Sequence, residues 1–218
     1  KGTAGINTIF QESRVHYKSV DLYSNTIYKM AMGGLKELEL TYVTRFDIAQ
    51  IRHVINLETI SLIKNSLLLG YWSNYDPKGS SQEMITEIGN NCGYIFQILN
   101  DLEPFSSIKS NFTYKGGRNI DVDRDRKNIV VAYIFGAATK KEKNTLLTLI
   151  GEDLHTYLLE LYDKYSVYNG ICEEARTLEK KTKGIIETLG QSSIHTSSLQ
   201  DFSSFLSEMV NICFSKLG

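Results

Sequence analysis

The sequence predicts an all-α fold, and three observations carry that expectation. Only two prolines occur in 218 residues, Pro77 and Pro104, and each falls where one helix should give way to the next. Apolar residues recur with a period near 3.6 through most of the chain. No apolar–polar alternation closes on a tight Asn-Gly or Asp-Gly hairpin, so strands have no local signal.

Taken in order, the first helix is expected over residues 7–32, with Gly33-Gly34 as a left-handed stop. A second is expected over 46–69, burying Ile48, Ile51, Val54, Ile55 and Leu62 and ending at Gly70. The run Asp76-Pro77-Lys78-Gly79 reads as a turn. The third helix has the clearest signature. Ser80 with Glu83 forms a capping-box pattern, and Ile85, Ile88, Cys92, Ile95, Leu99 and Leu102 then step by three and four. Pro104 should close it, because the residue before a proline avoids helical angles. A polar loop is expected over 106–125, then helices over 127–138, 140–150, 152–165, 167–189 and 198–216. No internal repeat stands out and no linker composition divides the chain, so residues 1–218 read as one domain.

The bulk composition narrows the function. Hydrophobic residues make up 42% and charged residues 22%, ordinary for a globular domain. A net charge of -1 lacks the basic excess that nucleic-acid binding requires, so any bound anion needs a local cluster. No apolar run approaches the ~18–20 residues that span a bilayer. The three cysteines, Cys92, Cys172 and Cys213, are far apart and odd in number, which fits the cytoplasm or another reducing compartment. The four histidines are equally scattered and form no metal-ligand spacing. Among the tyrosines, Tyr94, Tyr114 and Tyr133 are candidates for lining a cavity, although tyrosine at helical spacing is more often core.

The chemistry concentrates near the end of the third helix. Gln97 and Asp101, four residues apart, share one side with Gly93 a turn earlier, and Asn100 and Glu103 flank them. One reading is a solvated face ending in a polar cap. The sharper reading turns this face toward a cavity, with Asp101 holding Mg²⁺ and the amides touching a diphosphate. Magnesium takes hard oxygen ligands and often needs only one or two carboxylates plus phosphate oxygens. A helix C-terminus repels an anion, so a bridging cation is a requirement of this reading. Beyond it, Lys115, Arg118, Arg124, Arg126 and Lys127 supply positive charge, and Gly116-Gly117 permit close backbone approach.

These residues resemble the trans-prenyl (isoprenyl) diphosphate synthases. Phe96-Gln97-Ile98-Leu99-Asn100-Asp101 is similar to that family's second aspartate-rich motif, F-Q-x-x-D-D-x-x-D. Asp121-Val122-Asp123-Arg124-Asp125-Arg126 resembles its G-K-D-L-x-x-G-K segment. Leu57-Glu58-Thr59-Ile60-Ser61-Leu62 aligns with its K-T-x-x-L helix. Gly33-Gly34, with Glu37 and Glu39, sits at its G-Q-x-x-D. Lys1-Gly2 resembles the sequel of its first aspartate-rich motif, which is therefore expected upstream of Lys1. The resemblance implies an antiparallel helical bundle around a central cavity, of the isoprenoid-synthase type. It implies a transferase that uses Mg²⁺ to release diphosphate from an allylic prenyl diphosphate, with isopentenyl diphosphate as acceptor. By position it assigns Asp101, Gln97 and Thr59 to catalysis. It assigns Arg126, Lys127, Arg118 and Lys115 to the diphosphate, and Asp101, with Asn100 and Glu103 as weaker ligands, to the metal. Homodimers, or heterodimers with a related subunit, are the usual assemblies.

The departures from the pattern matter as much. The three aspartates of the second motif appear as Asn100, Asp101 and Pro104, with Glu103 one place short. A neutral amide removes one charged ligand, and a proline side chain cannot coordinate. Glu58 replaces the lysine of K-T and would repel a diphosphate unless it points elsewhere. An acceptor other than isopentenyl diphosphate therefore stays open. So does a non-catalytic regulatory subunit of a heteromeric synthase, and so does a terpene cyclase of related fold.

Overall fold

The computed structural model describes residues 2–43, 46–75, 79–110, 127–191 and 196–215, and among them there is no strand. The helices are α1 (Gly2–Thr41), α2 (Ile48–Ile55), a π-helical turn (Asn56–Ile60), α3 (Ser61–Trp72) and α4 (Ser80–Ser110). They continue with α5 (Ile129–Ala137), α6 (Lys140–Leu146), α7 (Gly151–Lys164), α8 (Val167–Gly190) and α9 (Ser197–Ser215). No helix among the described residues is long and apolar enough to cross a membrane.

The bundle is built around α4. Its predicted stripe, Ile85, Ile88, Cys92, Ile95, Leu99 and Leu102, is buried throughout. A second set, Tyr94, Ile98 and Phe105, is buried as well, so α4 presents apolar side chains to two sides. One core joins Ile98, Leu102 and Phe105 to α2, α5, α7 and the start of α8. The other joins Ile88, Cys92 and Ile95 to α3, the end of α8, and α9. A helix apolar on most of its circumference belongs in the middle of a bundle, and α4 sits there.

Several predicted boundaries move, each for a physical reason. Gly33-Gly34 does not end α1, which runs on to Thr41. A Cβ on Gly33 would lie 2.3 Å from Glu58 Cγ and 3.2 Å from Leu57 Cβ, so this glycine admits the π turn rather than a left-handed bend. Gly70 likewise lies inside α3, two residues before its end. Pro104 is incorporated into α4, which continues to Ser110. It has no N–H to offer the Asn100 carbonyl one turn back, and the helix tolerates that loss. The single helix expected over 46–69 is two helices joined by the π turn. The turn inserts an extra residue into the helical register. Ile51, Val54 and Ile55 remain buried, as expected, but Leu62 just beyond the turn is 44% exposed. The turn at Asp76-Pro77-Lys78 lies outside the described residues.

Candidate active site

Residues from four elements meet at the C-terminal half of α4. Thr59 comes from the π turn, Gln97 and Asp101 from α4, and Lys127 and Asn128 from the entry to α5. Gly93 and Gly89 let these elements approach closely. A Cβ on Gly93 would lie 2.7 Å from the Ile60 Cα, and one on Gly89 2.5 Å from the Lys64 Cα. Gly93 is thus a contact point between helices, and the polar side chains that follow it do the chemistry.

A chain of hydrogen bonds fixes those side chains. The Thr59 hydroxyl donates to Gln97 Oε1 at 2.6 Å. Gln97 Nε2 in turn donates to Asp101 Oδ1 at 2.7 Å. The Ile129 backbone N–H donates to Asp101 Oδ2 at 3.0 Å. Each carboxylate oxygen therefore takes an N–H while keeping further lone-pair capacity. Asp101 is only 7% exposed and points toward the start of α5, where a helix N-terminus favours negative charge. Asn128 caps that helix through its side chain, accepting the Val131 N–H at 3.0 Å.

These groups border a cavity of about 220 Å³ lined by Glu37, Glu58, Gln97, Asn100, Asp101, Lys127 and Asn128, with Ile51, Val54 and Ile55 as its apolar wall. Lys127 is 8% exposed, and its ammonium stands 5.7 Å from the centre of the Phe46 ring. The solvated-face alternative for Gln97 and Asp101 is therefore set aside: the side chains line a hollow. The sequence places Asp101, Gln97, Thr59, Asn100 and Lys127 together, and the structure does so too. Lys115, Arg118 and Arg126 lie outside the described residues, as does the side chain of Glu103.

The donor set suits a hard cation held partly by its ligand. Among the described residues no three Asp, Glu, His or Cys side chains converge to hold a metal ion alone. A carboxylate, an amide oxygen and two further acids around a small polar hollow match Mg²⁺ bridged to phosphate oxygens, which needs few protein ligands.

Two features escaped sequence reasoning. Glu37 reaches the cavity because α1 continues past Gly33, and its place one helical turn after that glycine was the available signal. A polar cluster lies on the other side of α4. Arg52 Nε donates to the Tyr94 hydroxyl at 2.8 Å, and Arg52 Nη2 bonds Glu174 Oε1 at 2.6 Å. The Tyr133 hydroxyl donates to Glu174 Oε2. Burial pushes the Tyr94 phenol up to about 12, with Glu174 adding to the rise, so it stays protonated. Tyr94 and Tyr133 tie α2, α4, α5 and α8 together and do not line the 220 Å³ cavity; Tyr114 lies outside the described residues. No signal in the sequence pairs Arg52 with Glu174 across 122 positions.

The model of the polyprenyl synthetase family matches residues 2–162. The chain belongs to that family. The polyprenyl synthetase match covers the cavity and all the residues just described. Solved structures agree on the fold. The chain is similar to a geranylgeranyl pyrophosphate synthetase from Pyrococcus horikoshii Ot3, with 20% identity and a TM-score of 0.74 over 90% of this chain and 59% of that one. It is similar to a decaprenyl diphosphate synthase from Rhodobacter capsulatus, with 14% identity and a TM-score of 0.70 over 93% and 60%. An octaprenyl pyrophosphate synthase from Helicobacter pylori gives 15% identity and a TM-score of 0.71 over 92% and 62%. The chain thus spans about three fifths of the length of these polyprenyl synthetases. No match was found among curated proteins.

Proposed function

We propose that this protein is a prenyltransferase that binds an allylic prenyl diphosphate and aids release of its diphosphate. The observation that carries this reading is the Thr59–Gln97–Asp101–Ile129 hydrogen-bond chain at the edge of a closed polar hollow. Such a chain fixes one carboxylate without freezing entropy at the moment of reaction, which is how electrostatic catalysis gains its advantage. Thr59 orients Gln97, Gln97 orients Asp101, and the α5 N-terminus holds the carboxylate in place. Mg²⁺, when bound, would act as a Lewis acid that neutralises the departing diphosphate. Asp101 would hold it, with Asn100 and Glu103 as weaker ligands. Lys127, with Lys115, Arg118 and Arg126 of the neighbouring loop, would meet the remaining diphosphate oxygens. Val54 and Ile55 keep water from one side of the hollow. The acceptor is isopentenyl diphosphate or another nucleophile.

The described chain is then the larger part of one isoprenoid-synthase domain, the first aspartate-rich motif belonging to residues upstream of Lys1. Exposed Val20, Tyr23, Ile27, Leu35, Leu38 and Tyr42 follow one another along α1 at steps near helical spacing, which supports a homodimer or a dimer with a related subunit. Cys92 and Cys172 are buried free thiols, which supports a reducing compartment such as the cytoplasm. One observation favours a second reading, a regulatory subunit without turnover. Asn100 and Glu58 line the hollow where the family pattern has an aspartate and a lysine. Incubating the complete protein with labelled geranyl and farnesyl diphosphates, with and without isopentenyl diphosphate, separates the two. Turnover that depends on Mg²⁺ supports the enzyme; none, alone or with a catalytic partner, contradicts it.

A further inference from the structure

A second chamber of about 770 Å³ adjoins the polar hollow, sharing Glu58 with it, while Thr59 at its mouth bonds Gln97 of the hollow. Its walls are apolar and include Leu62, Cys92, Phe96, Phe202, Phe205 and Leu206. Three of these are unusually open for large apolar side chains: Leu62 at 44%, Phe96 at 45% and Phe205 at 54%. Exposed apolar groups converging on one concavity mark a ligand site. From Thr59 to Leu67 the chamber follows about 12 Å of helix axis, at the ~1.5 Å rise per residue of a helix.

We propose that Phe202 and Phe205 of α9 set the length of hydrocarbon tail this chain accepts. The inference rests on the diphosphate reading of the polar hollow, because the tail must begin where its head group is held. The argument for α9 is specific to this chain. Helix α9 lies wholly beyond residues 2–162, which carry the family match, yet it supplies three wall residues. Leu206 is buried at 3% and anchors the helix against α4 and α8, whereas Phe205 is free to meet a ligand. A tail running down the chamber passes Leu62 and Phe96 and then meets these rings. Longer tails gain apolar contact until they reach the rings and gain nothing more beyond them. Each methylene that does enter tightens binding by about fourfold.

The test is a calorimetric series on the complete protein with Mg²⁺ and thio-analogues of geranyl, farnesyl and geranylgeranyl diphosphate. Inorganic diphosphate reports the head site alone, and the matching prenyl alcohols report the chamber alone. Affinity should rise with tail length and then level off. Phe205→Ala and Phe202→Ala should move the plateau to a longer tail, with a gain of about tenfold or more for the longest one. Phe205→Trp should move it to a shorter tail, and none of the three should alter inorganic diphosphate binding. Because Phe205 is half exposed, Phe205→Leu serves as a variant with little effect on folding. An identical length profile in wild type and variants overturns the proposal. So does a flat profile, as expected if a second copy or another part of the protein fills the chamber. Failure of inorganic diphosphate to bind while the alcohols keep their length dependence would instead overturn the head-site reading alone.

Discussion

Asp101 serves the fold and the chemistry with different atoms of one carboxylate. Oδ2 accepts the first free N–H of α5, and Oδ1 is steered by Gln97. The two roles separate by substitution. Asp101→Asn keeps an oxygen for the Ile129 N–H and loses the charge, so thermal melting should place its stability near wild type. Asp101→Ala leaves a buried N–H without its acceptor and should cost about 1–3 kcal/mol. Equal melting temperatures for the two variants would contradict the capping role. Much of this residue pattern was legible in the sequence. The four-residue spacing put Gln97 and Asp101 on one side, and the Glu-Thr pair pointed to Thr59. The bond from Ile129 was not legible, because nothing in local spacing shows which helix start will face an acid 28 positions earlier. The Arg52–Tyr94–Glu174–Tyr133 cluster was missed for the same reason.

At the scale of elements, glycines decide how closely the helices approach. Gly93 faces the π turn at the Ile60 Cα, a backbone atom that cannot swing aside. Gly93→Ala should therefore destabilise by about 1–3 kcal/mol despite the better helix propensity of alanine. A melting temperature lowered by several degrees is the expected reading. Gly70 is the control, because a Cβ there meets nothing within 4 Å. Gly70→Ala should be neutral or stabilising by up to ~1 kcal/mol. If both variants behave alike, the close contact has no energetic weight. The same glycines explain where element boundaries were misread. Gly33, Gly70 and Pro104 are local punctuation in sequence, yet tertiary packing carries each helix through them. The third helix was legible because its apolar stripe is long and regular. The π turn was not, since one inserted residue leaves the apolar pattern on both sides intact.

Across the whole molecule, the two cores flank α4 and leave two hollows along it, one polar and one apolar. The all-α class was legible from scarce proline and sustained helical periodicity, and the family likeness followed from motifs spread along the chain. Charge balance at the polar hollow was harder to read. Glu37 enters only because α1 runs past its glycines, and it joins Glu58 and Asp101 around Lys127. A hollow with that many acids admits a diphosphate only in company with divalent cations. Titrating inorganic diphosphate into the complete protein, with Mg²⁺ and then with the metal chelated, tests this most directly. Binding should appear with Mg²⁺, vanish on chelation, and weaken about tenfold or more in Asp101→Asn, given the ~1.5–3 kcal/mol that hydrogen bonds to charged groups contribute. Diphosphate that binds equally well without metal, or binds Asp101→Asn as tightly as wild type, would contradict it.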